Sequence, residues 1–348
     1  MTDPQTPSAI ADNLRRWDGS TPGRYEVWYL TANHAPTQTG FWIRYTLESP
    51  QVGVGEPYAQ LWFARFDARD PRRTFGINRK FPIAAMTAAG GSGAPFGVAI
   101  AGNHLGADHA RGALAGDGHD VRWDLRWPAA GETTRFLPDV MYARGGLGET
   151  TALIPTISAA LTGTIVVDGV TYDLTGERVG QTHIWGKKHA FAWAWGHCNR
   201  FDGDPDAWFE ILSPRLRRRG VVLPRLTVMS LRVGGETHAF NQFHHTPFAR
   251  VELGTGSYTF SGGSLTARVE GEFTCRPEDM VTATYHDPDG EPSYCANTEI
   301  GTLTLTFSRR RGLRWQETAR LVAPHRGQFE IAGRTRDAAV LNDHETIA

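Results

Sequence analysis

Apolar and polar residues alternate along much of the chain with a period of two, the pattern of strands that bury one face. The clearest case is His119 to Trp127 (HDVRWDLRW), where Val121, Trp123, Leu125 and Trp127 fall on one side. That side is predicted to be buried. Arg24 to Ala32 (RYEVWYLTA) and Gly40 to Leu47 (GFWIRYTL) are rich in β-branched and aromatic residues, and the NHAPTQT between them suits a turn. Together they predict a hairpin. Tyr58 to Phe66 and Arg73 to Ile77 continue the series, and Asp168-Gly169 between TGTIVV and VTYDLTG is a two-residue hairpin signal. Further strands are predicted between Ala207 and Ser308, with Asp287-Pro288-Asp289-Gly290 as a turn. Short helices are expected only around Ser8 to Arg16 and after Trp315. Gly90 to Gly97 (GGSGAPFG) lacks a following Lys-Ser/Thr and any GxGxxG spacing, so it reads as a flexible loop and not a phosphate cradle.

One stretch stands apart, His183 to Phe201 (HIWGKKHAFAWAWGHCNRF). In an extended chain Phe191, Trp193, Trp195, His197 and Asn199 share one face, while Ala192, Ala194, Gly196 and Cys198 share the other. A bare face lets a second layer approach closely; a face of Trp, His and Asn suits either a core or the wall of a cavity. The His and Asn residues favour the cavity. His197 and the adjacent Cys198 point oppositely, which excludes a thiol–imidazole dyad within a regular strand.

Composition narrows the class. Thirty-nine Gly, twenty Pro and eleven Trp describe many short strands and tight turns, an all-β protein. A length of 348 residues favours two domains. Lys+Arg of 36 against Asp+Glu of 37 gives a net charge of -1, so no global field draws in nucleic acid or an anionic membrane. The basic runs Arg215 to Arg219 and Arg309 to Arg311 read as solvated loops. No apolar run reaches the roughly 18 residues of a membrane span, and the N-terminus lacks a signal-peptide pattern, so the expectation is a soluble cytoplasmic protein without an integral membrane segment. Three scattered Cys imply free thiols, and neither His104/His109/His119 nor His238/His244/His245 has a metal-ligand spacing. No metal or organic cofactor is expected.

An internal echo bears on organisation. Val27, Tyr29, Asn33 and Trp42 lie 166 residues before Trp193, Trp195, Asn199 and Trp208, and each block soon meets Ser-Pro. This suggests a leader over residues 1–20, a first domain over 21–175 and a second over 176–348.

QTHIWGKKHAFAWAWGHCNRF, the opening YEVWYLTA and the GGLG...PTISAALTGTI run resemble the superfamily of carotenoid 1,2-hydratases, tocopherol cyclase and AttH-like lipocalin proteins. The resemblance implies two lipocalin-like antiparallel β-barrel or sandwich domains packed together, binding an isoprenoid or other hydrophobic small molecule. It further implies a cofactor-independent hydratase or cyclase, which protonates a carbon-carbon double bond and adds water or an internal hydroxyl. The family's His-x-Trp element matches His183-x-Trp185. Its aromatic-x-acid element matches Trp208-x-Glu210, with Trp for Tyr and Glu for Asp.

Those residues are chemically suited to the task. A carboxyl in a Trp-lined apolar pocket has its pKa raised, which makes Glu210 the expected proton donor. Trp185 and Trp195 would stabilise a cation through their π faces, and His183 or His197 would orient water or take a proton, with Trp193, Asn199 and Trp208 as further substrate contacts. Two plainer readings remain open: Glu210 as a solvated strand carboxylate, and the Trp stripe as core. Two other functions also stand beside the hydratase or cyclase: a non-catalytic carrier of a lipophile, and a carbohydrate-binding β protein presenting flat exposed tryptophans.

Overall fold

The structure, a computed structural model, describes residues 8–89, 96–129, 132–137, 142 and 150–347. The glycine-rich segments at 90–95 and 145–148 lie outside them. The fold is all-β, and a short helix, Ser8–Asn13, stands where the leader was expected to turn. No described helix is long and apolar enough to cross a membrane.

The Arg24–His34, Thr39–Ser49, Tyr58–Asp67 and Phe75–Pro82 strands form an antiparallel meander, and Arg24–His34 pairs on its other edge with Arg178–Gly186. A separate sheet of seven short strands runs from Met86–Ala89 to Val170–Asp173. The alternating His119–Arg126 strand lies within it and buries Val121, Trp123 and Leu125. Trp28, Leu30, Ile43 and Phe63 from the meander meet these residues in a first core. Because Arg178–Gly186 hydrogen-bonds to Arg24–His34 and to Thr150–Ala160, the first sheet continues past residue 175 to Gly186.

The remaining chain builds a second set of antiparallel strands from Ala192–Cys198 onward, with its own core of Phe209, Ile211, Phe260, Phe273 and Phe329. Two strands of 20 residues each, Pro292–Arg311 and Arg314–Gly333, pair along most of their length. The latter corrects the expectation of a helix after Trp315. QETARL has helical propensity, but pairing with the long neighbouring strand overrides it. The last strand, Asn342–Ile347, runs parallel to both Phe75–Pro82 and Val281–His286 and so ties the two halves together.

A third apolar cluster lies between the halves. It contains Tyr25, Val27, Tyr29, Trp42 and Trp62 from the first, and Trp193, Trp195, Tyr285 and Ala332 from the second. At one point the backbones nearly touch: a Cβ on Gly40 would lie 2.4 Å from Cβ of Glu299, so only glycine fits there.

Candidate active site

Strand alternation assigns the two faces of the Ala192–Cys198 strand. Ala194 and Cys198 enter the second core, and a Cβ on Gly196 would lie 2.6 Å from Phe273 Cε2, so the bare face is needed for that approach. Trp193 and Trp195 point the other way. On the Arg24–His34 strand, Trp28 and Leu30 enter the first core while Tyr25, Val27 and Tyr29 face outward. The outward faces enclose a cavity of about 350 Å³, walled largely by apolar side chains such as Val27, Ile184, Leu212 and Val228. A small hairpin, Arg217–Arg218 with Val221–Val222, carries its flanking Leu216 and Leu223 to the rim, so this basic run is part of the cavity wall as well as exposed.

Two carboxyl groups, Glu330 part-buried at this wall and Glu210 buried behind it, each sit under an indole. Trp193 Nε1 donates to Glu330 Oε1 at 2.6 Å, and Cys295 Sγ donates to Glu330 Oε2 at 3.3 Å. Glu330 is opposite Trp195 in the strand register and lines the cavity. Burial pushes its carboxyl up, and the bonds from Trp193 and Cys295 only partly oppose this. Glu210 lies one layer back. It accepts from Trp195 Nε1, and its Oε2 lies 2.5 Å from His197 Nδ1. Burial raises its carboxyl too, against the influence of His197 and Trp195. Glu210 borders a narrow crevice with Phe136 and Val228, which themselves line the main cavity.

His189 provides a group of opposite character. Its Nδ1 is 2.7 Å from Asp287 Oδ1, and its backbone N–H donates to the same oxygen at 2.7 Å. Arg334 donates to the other Asp287 oxygen at 2.9 Å. Burial acts to raise the Asp287 carboxyl, but its bonds to His189 and Arg334 outweigh this and hold it below the usual range. Burial lowers His189, which favours the neutral imidazole. The ring is stacked between Tyr25, at 4.3 Å, and Trp193 and Tyr285, each at 5.5 Å. With Nδ1 committed to Asp287, Nε2 is left as the acceptor at the cavity wall.

The structure separates the other expected residues. His183 and Trp185 leave the Arg178–Gly186 strand on the face opposite Thr182 and Ile184, which line the cavity. His183 is fully buried, with Nε2 2.8 Å from Glu26 Oε1 and Nδ1 2.6 Å from the Asp12 carbonyl. Trp28 stacks on its ring at 4.9 Å. Trp185 lies beside it under the Arg16 guanidinium, 5.0 Å from the ring centre. Asn199 is buried beside the Ile157 carbonyl, and Trp208 is buried but does not line the cavity. His197 and Cys198 face opposite sides as expected, and Cys198 Sγ donates to the Arg200 carbonyl. All three cysteines are free.

Glu330, His189 and Asp287 were not singled out in the sequence. Glu330 carries one faint signal, a carboxylate between Phe329 and Ile331 in an alternating run. Asp287 belongs to a turn whose partner is fixed only by the tertiary fold.

The architecture is that of two lipocalin-like β units packed face to face around an apolar cavity. Solved structures with this fold include an AttH protein of Nitrosomonas europaea, 14% identical, with a TM-score of 0.53 over 90% of this chain and 93% of that one. CghA is 10% identical with a TM-score of 0.54 over 89% and 88% of the two chains. Kievitone hydratase of Nectria haematococca is 11% identical with a TM-score of 0.49 over 89% of each. The likeness to the first two is one of fold, and it agrees with the AttH-like resemblance of the sequence. No protein-family model and no curated protein sequence matches the chain.

Proposed function

We propose that the cavity binds an isoprenoid or similar hydrophobic small molecule and that the protein hydrates or cyclises a carbon-carbon double bond in it. The observation that carries this reading is Glu330: a part-buried carboxyl biased toward its neutral form, at the wall of an apolar cavity lined by tryptophans. Its proton would add to one alkene carbon, leaving a tertiary cation on the other. The π faces of Trp193 and Trp195 would stabilise that cation, each by about 1 to 2 kcal/mol when desolvated. Water, or a hydroxyl within the substrate, would then attack the cation as His189 Nε2 takes its proton. Proton return from His189 to Glu330 through solvent closes the cycle, and the net change is addition of water or ring closure. Glu210 and His197 would act as positioning residues that hold Trp195.

A carrier with the same cavity is the second reading. It is favoured by the fact that both Glu330 oxygens already have partners. The carbohydrate reading loses its motivation, since Trp193, Trp195 and Trp208 are all buried. The deciding experiment incubates the wild type and E330Q with linear prenyl alkenes and prenyl alcohols in ¹⁸O-labelled water. A catalyst gives a labelled alcohol or a cyclic ether or ring in the wild type only, while E330Q still binds. Binding without product in the wild type would leave the carrier reading.

A further inference from the structure

Beside the apolar cavity lies a smaller polar one of about 100 Å³, and the two share a wall of Arg44, His189 and Tyr285. Arg44 is 6% exposed. Cross-strand pairing with Tyr29 and Trp62 sends its side chain out of the first barrel toward the second half. Its guanidinium carbon lies 4.0 Å from the Tyr285 ring centre and 5.8 Å from those of Trp42 and Trp62. Among the described residues its hydrogen bonding consists of Nε donating to Thr46 Oγ1 at 3.0 Å, and no carboxylate forms an ion pair with it. The two terminal nitrogens, which form the fork suited to a carboxylate, have no partner.

The neighbouring groups do not supply the missing negative charge. Asp287 is committed to His189 and Arg334, and Glu330 to Trp193 and Cys295. Burial raises Glu48, in the wall of the polar cavity, well above the ordinary carboxyl range, and it lowers His344 there to about 3. The exposed Lys80, with Nζ 4.6 Å from the Tyr58 ring centre, adds positive charge. Aromatic faces compensate a buried cation only in part, and an uncompensated one is costly, so the site favours an anionic guest.

We propose that the ligand ends in a carboxylate that pairs with Arg44 at the junction of the two cavities, with its hydrocarbon part lying against Trp193 and Trp195. This rests on the reading of the larger cavity as a lipophile site. It assigns Arg44 the choice of substrate class, an acid in preference to an ester or an alcohol.

Calorimetric titration of the purified protein with farnesoic acid, methyl farnesoate and farnesyl diphosphate tests it. The acid is expected to bind at least about tenfold more tightly than the ester, and more tightly than the diphosphate. In R44M, which keeps bulk and removes charge, the advantage of the acid over the ester should disappear. Equal binding of acid and ester by the wild type overturns the carboxylate assignment and leaves the lipophile site standing; this comparison needs no variant to fold. Tighter binding of the diphosphate, or a preference for the acid that survives in a folded R44M, overturns it as well. Binding of none of the three removes the lipophile site and this inference together.

Discussion

Tyr29 and Trp195 meet edge to face in the cavity wall, their ring centres 5.8 Å apart and their planes at 83°. They are also counterparts in the sequence echo, 166 residues apart. Each stands on a strand whose opposite face fills a core of its own. The cavity therefore sits where the outward faces of these two strands are pressed together, and its walls are built by the packing of the halves more than by loops.

Trp195 has two separable jobs in this arrangement. Its ring packs on Tyr29 and stacks with His197 at 5.9 Å, and its N–H satisfies Glu210. W195F keeps most of the ring and leaves a buried carboxyl oxygen without its donor, so a loss of about 1 to 2 kcal/mol is expected. W195A removes the ring as well and is expected to cost about 3 to 5 kcal/mol. Urea unfolding of the two variants reads the difference. Similar losses in both would show that the ring contributes nothing beyond its N–H.

The contrast between Trp195 and His183 shows what the sequence could and could not reveal. Period-two alternation was enough to put Trp193 and Trp195 on one face and Ala194 and Cys198 on the other, because that depends only on the chain being extended. The same rule puts His183 and Trp185 on a common face but does not say which way it looks; the register with Arg24–His34 decides that, setting His183 beside Trp28 and away from the cavity. Glu330 was hidden for a related reason. It reaches the Trp pair through the register of a strand more than a hundred residues away, information that no local pattern holds. All-β architecture was legible from turns and aromatics; the proton-bearing groups depend on long-range pairing.

Glu26 is the buried anchor of the leading segment. One oxygen accepts from Arg16 N at 2.7 Å and faces His183 Nε2, and the other accepts from Trp17 N at 2.9 Å. E26A strands three polar groups at once, and a loss of about 2 to 4 kcal/mol is expected, with residues 8–17 detaching first. Hydrogen exchange at the Arg16 and Trp17 amides checks this. Unchanged protection at both amides would mean that the helix and leader are held by other contacts.

His189 and Glu330 require opposite protonation states, so the proposed reaction has a definite pH dependence. His189 must be neutral to take a proton; burial sets its pKa below 6.5, and activity should fall as pH drops through that lowered value. Glu330 must be protonated; burial sets its pKa above 4.5, and activity should fall as pH rises through that raised value. The result is a bell, with the acid limb belonging to His189. D287N tests the orientation of the ring, because an Asn amide can present N–H to Nδ1 and turn the imidazole to the tautomer with its proton on Nε2, where it can no longer accept. A drop in kcat of about a hundredfold or more is expected, with ligand affinity within a few-fold of wild type. E330Q should instead abolish the proton donor at every pH. Turnover in D287N equal to wild type, with the acid limb unmoved, would show that His189 is not the base.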